Sequence, residues 1–168
     1  MFVLVWFQPQ KLFIDDTVNE PVPVAQSTSP ALSQHGPLLH HRPASPRPAT
    51  PPTPVVLATG RLHSGEHHTE GTAEILQLSD GRRFLRFDDL RTSNGPVVKV
   101  WLTTTPSDAT DAEISVGRHL DLGGLKGNIG DQNYALRADT DLSRYRAVVI
   151  WCDRFNVSFG AAPLTMRS

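Results

Sequence analysis

The stretch ILQLSDGRRFLRF, residues 75–87, decides the fold class. Two short apolar runs flank Ser79-Asp80-Gly81, and an Asp-Gly pair readily supplies the positive φ angles of a tight primed turn. The stretch therefore predicts an antiparallel β-hairpin. Around it, short apolar runs recur at intervals of about 8 to 12 residues between turn signals, and no stretch keeps a helical period for three turns. This pattern is typical of an antiparallel β domain.

On the carboxyl side of the hairpin, Pro96 opens the next predicted strand, residues 97–103. Proline has no N–H group to donate to a ladder, so the first position of a strand suits it. Side chains alternate along a strand, and Val98, Val100 and Leu102 therefore share one face. The sequence predicts one apolar face on this strand.

Later stretches predict further strands. Residues 114–116 and 119–122 have the length and composition of short strands. Residues 146–152 are apolar on both faces, which indicates a central strand covered on each side. This strand ends at Cys152, which is therefore expected at the rim of the core. After a charged turn, alternation predicts three inward-facing side chains: Phe155, Val157 and Phe159.

Composition divides the chain into three segments. Ten of the 14 prolines lie between Pro21 and Pro54, in a stretch with few aromatic or branched apolar residues from which to build a core. We predict a membrane-proximal apolar segment at 1–20, a disordered Pro-rich linker at 21–54 and a β domain at 55–168. About eight strands in the last segment predict an all-β fold, either an antiparallel β-sandwich or a small barrel. The sequence does not separate these two.

The first seven residues form an apolar run, shorter than the roughly 20 residues of a membrane-spanning helix. The aromatic residues in and after this run, with Lys11, are typical of the place where a membrane helix meets water. A Pro-rich stalk suits a cell envelope, because such chains are extended spacers. We therefore expect a single N-terminal anchor that begins upstream of Met1, with the domain on the outer side of the cell membrane.

Charge and cysteine content exclude several classes of protein. Sixteen Lys and Arg residues face 17 Asp and Glu residues, and the formal net charge of −1 argues against a strongly basic nucleic-acid binder. The single cysteine, Cys152, excludes an internal disulfide and every zinc site that needs two thiolates. A one-electron carrier, a metal or haem ligand, and a mixed disulfide with a partner remain open for this thiol.

Cys152 is the first candidate for chemistry. Arg154 lies two residues further on in the same turn, and a nearby cation lowers the pKa of a thiol and raises its reactivity. The alternative is that Cys152 is a small apolar side chain of the core, since free cysteines are among the most buried residues.

Three histidines are candidate zinc or copper ligands: His63, His67 and His119. Only a loop at Gly65 could gather the first two, because they would be about 13 Å apart along a regular strand. A solvated, hydrogen-bonded cluster is the alternative.

Little in the sequence supports a hydrolase or a nucleotide-binding protein. No serine lies in a Gly-x-Ser-x-Gly elbow, and the four glycines in residues 123–130 are better explained as structural turns than as a phosphate loop.

Three motifs carry a family resemblance: LKGNIGDQNY at 125–134, IWC at 150–152 and FGAA at 159–162. With further matches from about residue 60 to residue 164, they resemble the DM-thirteen domain family. The resemblance implies a β-rich, extracytoplasmic domain with an electron-transfer role, and the characteristic cysteine of the family matches Cys152. Leu62 stands where the family commonly has an aromatic residue.

The leading prediction is a membrane-anchored, outward-facing domain that transfers electrons through Cys152. Trp101, Tyr134 and Trp151 would shape the surroundings of the thiol or contact a cofactor, which the sequence does not name. The partner would be a redox or cell-envelope protein, and no nucleic acid is expected. Two alternatives are a non-catalytic binding or scaffolding domain in which Cys152 is structural, and a small metal-dependent enzyme. The sequence favours a redox or binding domain over a stand-alone enzyme.

Overall fold

The structure, a computed structural model, describes residues 15–26 and 52–167. The apolar run at 1–7 and most of the predicted Pro-rich linker lie outside the described residues. Within the described ranges the chain forms one α-helix, α1 (Asp111–Val116), and one short 3-10 turn (Leu142–Arg144). It also forms eleven strands, which in chain order are β1 (Thr17–Asn19), β2 (Val55–Arg61), β3 (His63–Ser64), β4 (Glu70–Gln77), β5 (Arg83–Arg91), β6 (Val98–Thr103), β7 (His119–Gly124), β8 (Ile129–Leu136), β9 (Ala147–Cys152), β10 (Val157–Pro163) and β11 (Thr165–Met166).

The strands form two separate sheets. The first has six strands in the order β1-β8-β5-β4-β2-β11, and the second has five in the order β3-β10-β9-β6-β7. Every pairing is antiparallel except that of β1 with β8, which is parallel. The all-β prediction is confirmed, and of the two predicted architectures the structure is the sandwich, since neither sheet closes into a barrel.

The hairpin that decided the fold class is confirmed. β4 pairs with β5 from Gln77 opposite Arg83 onward. The turn is closed by a hydrogen bond in which the Gly81 N–H donates to the Leu78 carbonyl at 3.0 Å. Gly81 has φ 84°, in the region that glycine adopts without strain. The hairpin places Leu85 between the sheets, where it is fully buried.

β9 is the central strand that its sequence predicts, because all six of its residues are buried. Its side chains alternate between two apolar clusters. Val148, Ile150 and Cys152 belong to the main core between the sheets, while Val149 and Trp151 belong to a second cluster that includes Ile114 of α1. Strand β9 is therefore covered by the first sheet on one face and by α1 on the other.

The predicted strand at 114–116 is wrong, because these residues lie in α1. Thr110 and Glu113 form a capping box at its start. The Glu113 N–H donates to Thr110 Oγ1 at 3.4 Å, and the Thr110 N–H donates to Glu113 Oε2 at 2.8 Å. A threonine followed three residues later by glutamate is a helix-start signal, and here it outweighs the β propensity of Ile114 and Val116.

The turn after Cys152 is longer than predicted. Residues 153–156 form an exposed turn, and the inward orientation predicted for Phe155 is wrong, since this side chain is 62% exposed. Phe159 is buried and packs in the main core, as predicted, and Val157 packs against the same core in a partly buried position. The alternation fails at Phe155 because it belongs to the turn rather than to β10.

Residues 15–20 lie against the first sheet. β1 runs parallel to β8, with Val18 opposite Gly130. A Cβ atom at Gly127 would overlap the Asp16 carbonyl oxygen, and one at Gly130 would overlap that of Val18. Gly130 also has φ 100°. The structural interpretation of these glycines is confirmed. No helix in the two described ranges has the length and apolar character needed to cross a membrane.

Candidate functional site

Cys152 ends β9 at the rim of the core, as the sequence predicts. The residue is 0% exposed. It pairs with Val98 of β6 on one side and with Val157 of β10 on the other. Its Sγ donates a hydrogen bond to the Pro96 carbonyl oxygen at 3.3 Å. The thiol therefore has a defined hydrogen-bond partner and no contact with solvent.

Two turns cover the end of the strand above the thiol. The Asp153 N–H donates to the Val97 carbonyl at 3.1 Å, and the Asn156 N–H donates to the Cys152 carbonyl at 2.8 Å. Val97 has φ 57°, a left-handed conformation that is rare for a β-branched residue. Arg154 lies exposed in the second turn. The left-handed conformation of Val97 is an unusual feature next to the thiol, and no local sequence signal predicts it.

The two tryptophans predicted near Cys152 lie together, on the opposite face of the second sheet from the thiol. The rings of Trp101 and Trp151 stack with centroids 5.0 Å apart and planes 22° apart. The other side of Trp101 stacks on His119 at 3.8 Å and 8°. The buried Nε1 of Trp101 has no hydrogen-bond acceptor within the described part of the chain. The sequence analysis predicted that both tryptophans belong to the site, but it did not predict that their rings stack.

Tyr134 does not join the tryptophans. It lies on β8 of the first sheet and is buried in the main core. Its hydroxyl donates to Gln132 Oε1 at 2.8 Å and accepts from the Lys126 N–H at 3.2 Å. Burial raises the pKa of Tyr134 to about 12. The residue stays neutral at physiological pH and holds the loop that precedes β8.

The most specific motif, residues 125–134, has a structural role in this geometry. Gln132 is fully buried, and its Nε2 donates to the Gly127 carbonyl at 2.6 Å. Asn128 Nδ2 donates to the Thr92 carbonyl at 3.1 Å. These amide side chains satisfy buried backbone carbonyls that would otherwise lack partners. The motif therefore maintains the loop between β7 and β8.

The three candidate metal ligands are not brought together. His63 lies on β3 and His119 on β7, the two opposite edges of the second sheet, which four strand spacings separate by about 19 Å. The ring of His67 packs against Phe159 with centroids 3.9 Å apart and planes tilted by 48°. In residues 15–26 and 52–167, no group of three or more His, Cys, Asp or Glu side chains could hold a metal ion.

A basic groove borders the exposed end of the ring stack. It has a volume of about 440 Å³, and its walls are formed by Thr104, Arg118, His119, Arg144 and Tyr145. Arg144 Nε also lies 3.9 Å from Asp141 Oδ2. Two arginines thus line the surface beside His119, and two carboxylates, Asp121 and Asp141, lie near it. None of the groove residues except His119 was a sequence candidate.

The fold and the site define a class of protein: a β-sandwich domain with one buried thiol at a strand end. A stack of aromatic rings begins at the residue before this cysteine. The family model described as Electron transfer DM13 matches residues 61–164. The chain belongs to this family, and membership supports a general role in electron transfer. Neither the comparison with curated proteins nor that with solved structures found a match.

Proposed function

We propose that this protein is an outward-facing, membrane-anchored electron-transfer domain in which Cys152 carries one electron at a time. The observation that supports it is the complete burial of the thiol at the position of the characteristic cysteine. The general electron-transfer role comes from the family. The role of Cys152, the location and the identity of the partner are parts of the proposal, and no cofactor is assigned.

The sequence left several reactions of Cys152 open, and the burial of its thiol favours electron transfer over disulfide exchange. Exchange with a partner disulfide requires a thiolate to meet a sulfur atom directly, and a thiol that is 0% exposed does not offer that contact. An electron can cross several ångströms of packed protein without such contact. In the proposed step, the Cys152 S–H group gives one electron to a one-electron acceptor, and its proton leaves to water when the exposed turn at residues 153–156 opens. The product is a thiyl radical, and the reverse step restores the thiol.

The proposed location follows from the amino-terminal sequence. The apolar run at 1–7 and the aromatic residues near Lys11 have the composition of a membrane boundary, and the family resemblance implies an extracytoplasmic domain. Protease added to intact cells that make the full chain should cleave the domain. Protection in intact cells, with cleavage after lysis, would contradict the outward orientation.

A second candidate function is a non-catalytic binding or scaffolding domain of the cell envelope. The same burial favours it, because Cys152 packs with Val98 and Ile150 in the main core like a small apolar side chain. In that case the thiol contributes to stability alone.

The substitution Cys152→Ser separates these two functions. A serine hydroxyl is close in size to the thiol and can also donate to the Pro96 carbonyl. We expect the wild-type chain to consume a one-electron oxidant, hexachloroiridate(IV), and to give a sulfur-centred radical in freeze-quench electron paramagnetic resonance. The folded variant should lose this signal. If the wild-type chain gives no sulfur-centred radical and the variant differs from it only in a lower melting temperature, the redox role is contradicted and the scaffolding role is supported.

A further inference from the structure

Three stacked rings connect the strand of Cys152 to the protein surface. Trp151 precedes Cys152 in β9 and is 1% exposed, Trp101 lies beside it on β6 and is 6% exposed, and His119 on β7 is exposed. These strands are neighbours in the sheet, in the order β9-β6-β7. The centroid separations are 5.0 Å and 3.8 Å. The rings thus form an unbroken path from the interior to solvent.

We propose that this stack is the electron path of the domain and that the basic groove at its outer end receives a small anionic one-electron carrier. The inner end of the path, Cys152, rests on the proposed function. Stacked rings suit the task because their π orbitals overlap, which gives electrons a better path than saturated side chains do. Two adjacent indoles also share the positive charge that oxidation leaves, so the pair is easier to oxidise than one isolated indole.

The unpartnered Nε1 of Trp101 supports this role. Buried polar groups nearly always have a hydrogen-bond partner, and an exception calls for an explanation. An oxidised indole loses its N–H proton when an acceptor is near. Trp101 has no acceptor within the described residues, so its oxidised ring keeps the proton as a cation radical. Oxidation and reduction of the pair then move an electron without moving a proton, which keeps the step reversible.

The electrons and protons of the whole step balance. The external carrier takes one electron from the Trp101–Trp151 pair through the His119 ring, and the pair becomes a cation radical in which the Trp101 ring retains its N–H proton. The Cys152 thiol then returns one electron to the pair, and its proton leaves to water when the exposed turn at residues 153–156 opens. In sum, the carrier is reduced by one electron and the thiol is oxidised by one electron to a thiyl radical.

The charge of the groove at the outer end of the ring stack favours an anionic carrier. Arg118 and Arg144 line the groove beside His119. Arg118 takes part in no ion pair within the described part of the chain, and Arg144 is only loosely paired with Asp141, at 3.9 Å. A surface with cationic side chains raises the local concentration of anions and the rate of their encounter. The groove of about 440 Å³ has room for a small-molecule carrier.

Stopped-flow oxidation of the full chain by hexachloroiridate(IV), a dianionic one-electron oxidant, tests the path. The parent chain carries Trp6→Phe, which removes the third tryptophan of the sequence. We expect a tryptophan cation radical, formed at equal rates in H₂O and D₂O because no proton moves. Trp101→Phe should abolish most of the radical yield, and a folded Trp101→Phe chain that reacts like its parent would overturn the proposal.

Surface variants test the outer end without disturbing the core. His119→Ala should slow formation of the radical, while His68→Ala, an exposed histidine elsewhere on the surface, should not. The double variant Arg118→Gln and Arg144→Gln should slow the reaction roughly tenfold. It should leave the rate with a cationic oxidant, tris(bipyridine)ruthenium(III), unchanged or raised. Equal slowing with both oxidants would overturn the assignment to anionic carriers.

Cys152→Ser in the same parent keeps the two proposals distinguishable. If the thiol refills the pair, the cation radical should live longer in this variant. An unchanged lifetime, with the radical still lost in Trp101→Phe, would contradict the redox role of Cys152 and leave the ring path intact. A sulfur radical that forms equally well without Trp101 would contradict the path and leave the proposed function intact.

Discussion

Arg86 is a buried charged side chain with four hydrogen-bond partners, and it was not among the site residues predicted from the sequence. It is 3% exposed. Its guanidinium donates to Asp88 Oδ1 at 2.7 Å, to Asp131 Oδ2 at 2.8 Å, to Asn133 Oδ1 at 3.0 Å and to the Glu20 carbonyl at 2.9 Å. A buried guanidinium tolerates desolvation only when its donors are satisfied in this way. Arg86 therefore ties β5, β8 and the amino-terminal segment together.

Replacing Arg86 by methionine should destabilise the domain by about 2–4 kcal/mol. The change leaves Asp88 and Asp131 without their cation, and both are about one-third exposed, so water compensates part of the loss. The control is Arg82→Met, which breaks the exposed Arg82–Asp80 pair and should cost clearly less than Arg86→Met, because solvent screens an exposed pair. Urea unfolding measures both, and equal costs would show that Arg86 is no more important than a surface residue.

Single positions differ in how well the sequence predicts them. Cys152 is placed correctly at the rim of the core, because the apolar run before it and the charged turn after it are both local signals. The exposure of Phe155 and the left-handed Val97 were not predicted, since each depends on the length of a turn. The burial of Arg86 was not predicted, because three of its four partners, Glu20, Asp131 and Asn133, are distant in sequence and only Asp88 is near.

At the scale of elements, glycine spacing allows β1 to approach β8. Gly123 and Gly130 both have φ near 100°, at 108° and 100°. They differ in their surroundings, because an added Cβ atom meets nothing within 4 Å at Gly123 but would overlap the Val18 carbonyl at Gly130. Substitutions at Gly123 and Gly130 therefore distinguish the free-energy cost of backbone strain from that of steric overlap.

Gly123→Ala should cost about 1–2 kcal/mol, the strain of a left-handed alanine. Gly130→Ala should cost more, because the methyl group also displaces β1. Chemical denaturation gives the two free energies of unfolding, and amide exchange at Glu20, whose N–H donates to the Asp131 carbonyl at 2.9 Å, reports on the amino-terminal segment. If Gly130→Ala leaves that amide as protected as in the wild type, the proposed overlap does not govern the docking of β1.

The helix α1 shows why element type is harder to predict than element position. The apolar residues Ile114 and Val116 suit a short strand, whereas the capping pair of Thr110 and Glu113 suits a helix. The decision is tertiary, because Ile114 covers the tryptophan pair on the outer face of the second sheet.

At the scale of the whole molecule, residues 15–26 are bound to the β domain by charged contacts as well as by a strand. Glu20 accepts two hydrogen bonds from Lys126 Nζ, at 2.6 and 2.9 Å, and one from the Asn133 N–H at 2.7 Å. The carboxylate is partly buried, which opposes ionisation, but these hydrogen bonds outweigh burial and lower the pKa of Glu20. The predicted segments 1–20 and 21–54 thus include residues that pack on the β domain, and that division stays a prediction.

The free energy of unfolding should fall in acid partly through Glu20. A carboxylate with a lowered pKa in the folded state stabilises the protein fully above its unfolded value, near 4.5, and the contribution disappears as the pH falls through the lowered value. Glu20→Gln should therefore unfold more easily than wild type at neutral pH, and the difference should shrink in acid. Glu66→Gln, at an exposed carboxylate, is the control for the effect of the substitution itself. A stability difference for Glu20→Gln that is constant with pH would contradict this linkage.

The sequence by itself determined the all-β class, the hairpin at 75–87, the central strand that ends at Cys152 and the family, because each depends on residues close together in the chain or on a motif. Only the tertiary structure decided that the sheets form a sandwich, that His63 and His119 lie at opposite sheet edges, and that Trp151, Trp101 and His119 form one stack. The physical reason is that strand order sets which side chains meet. That order depends on the burial of both sheet faces together, which no local pattern encodes.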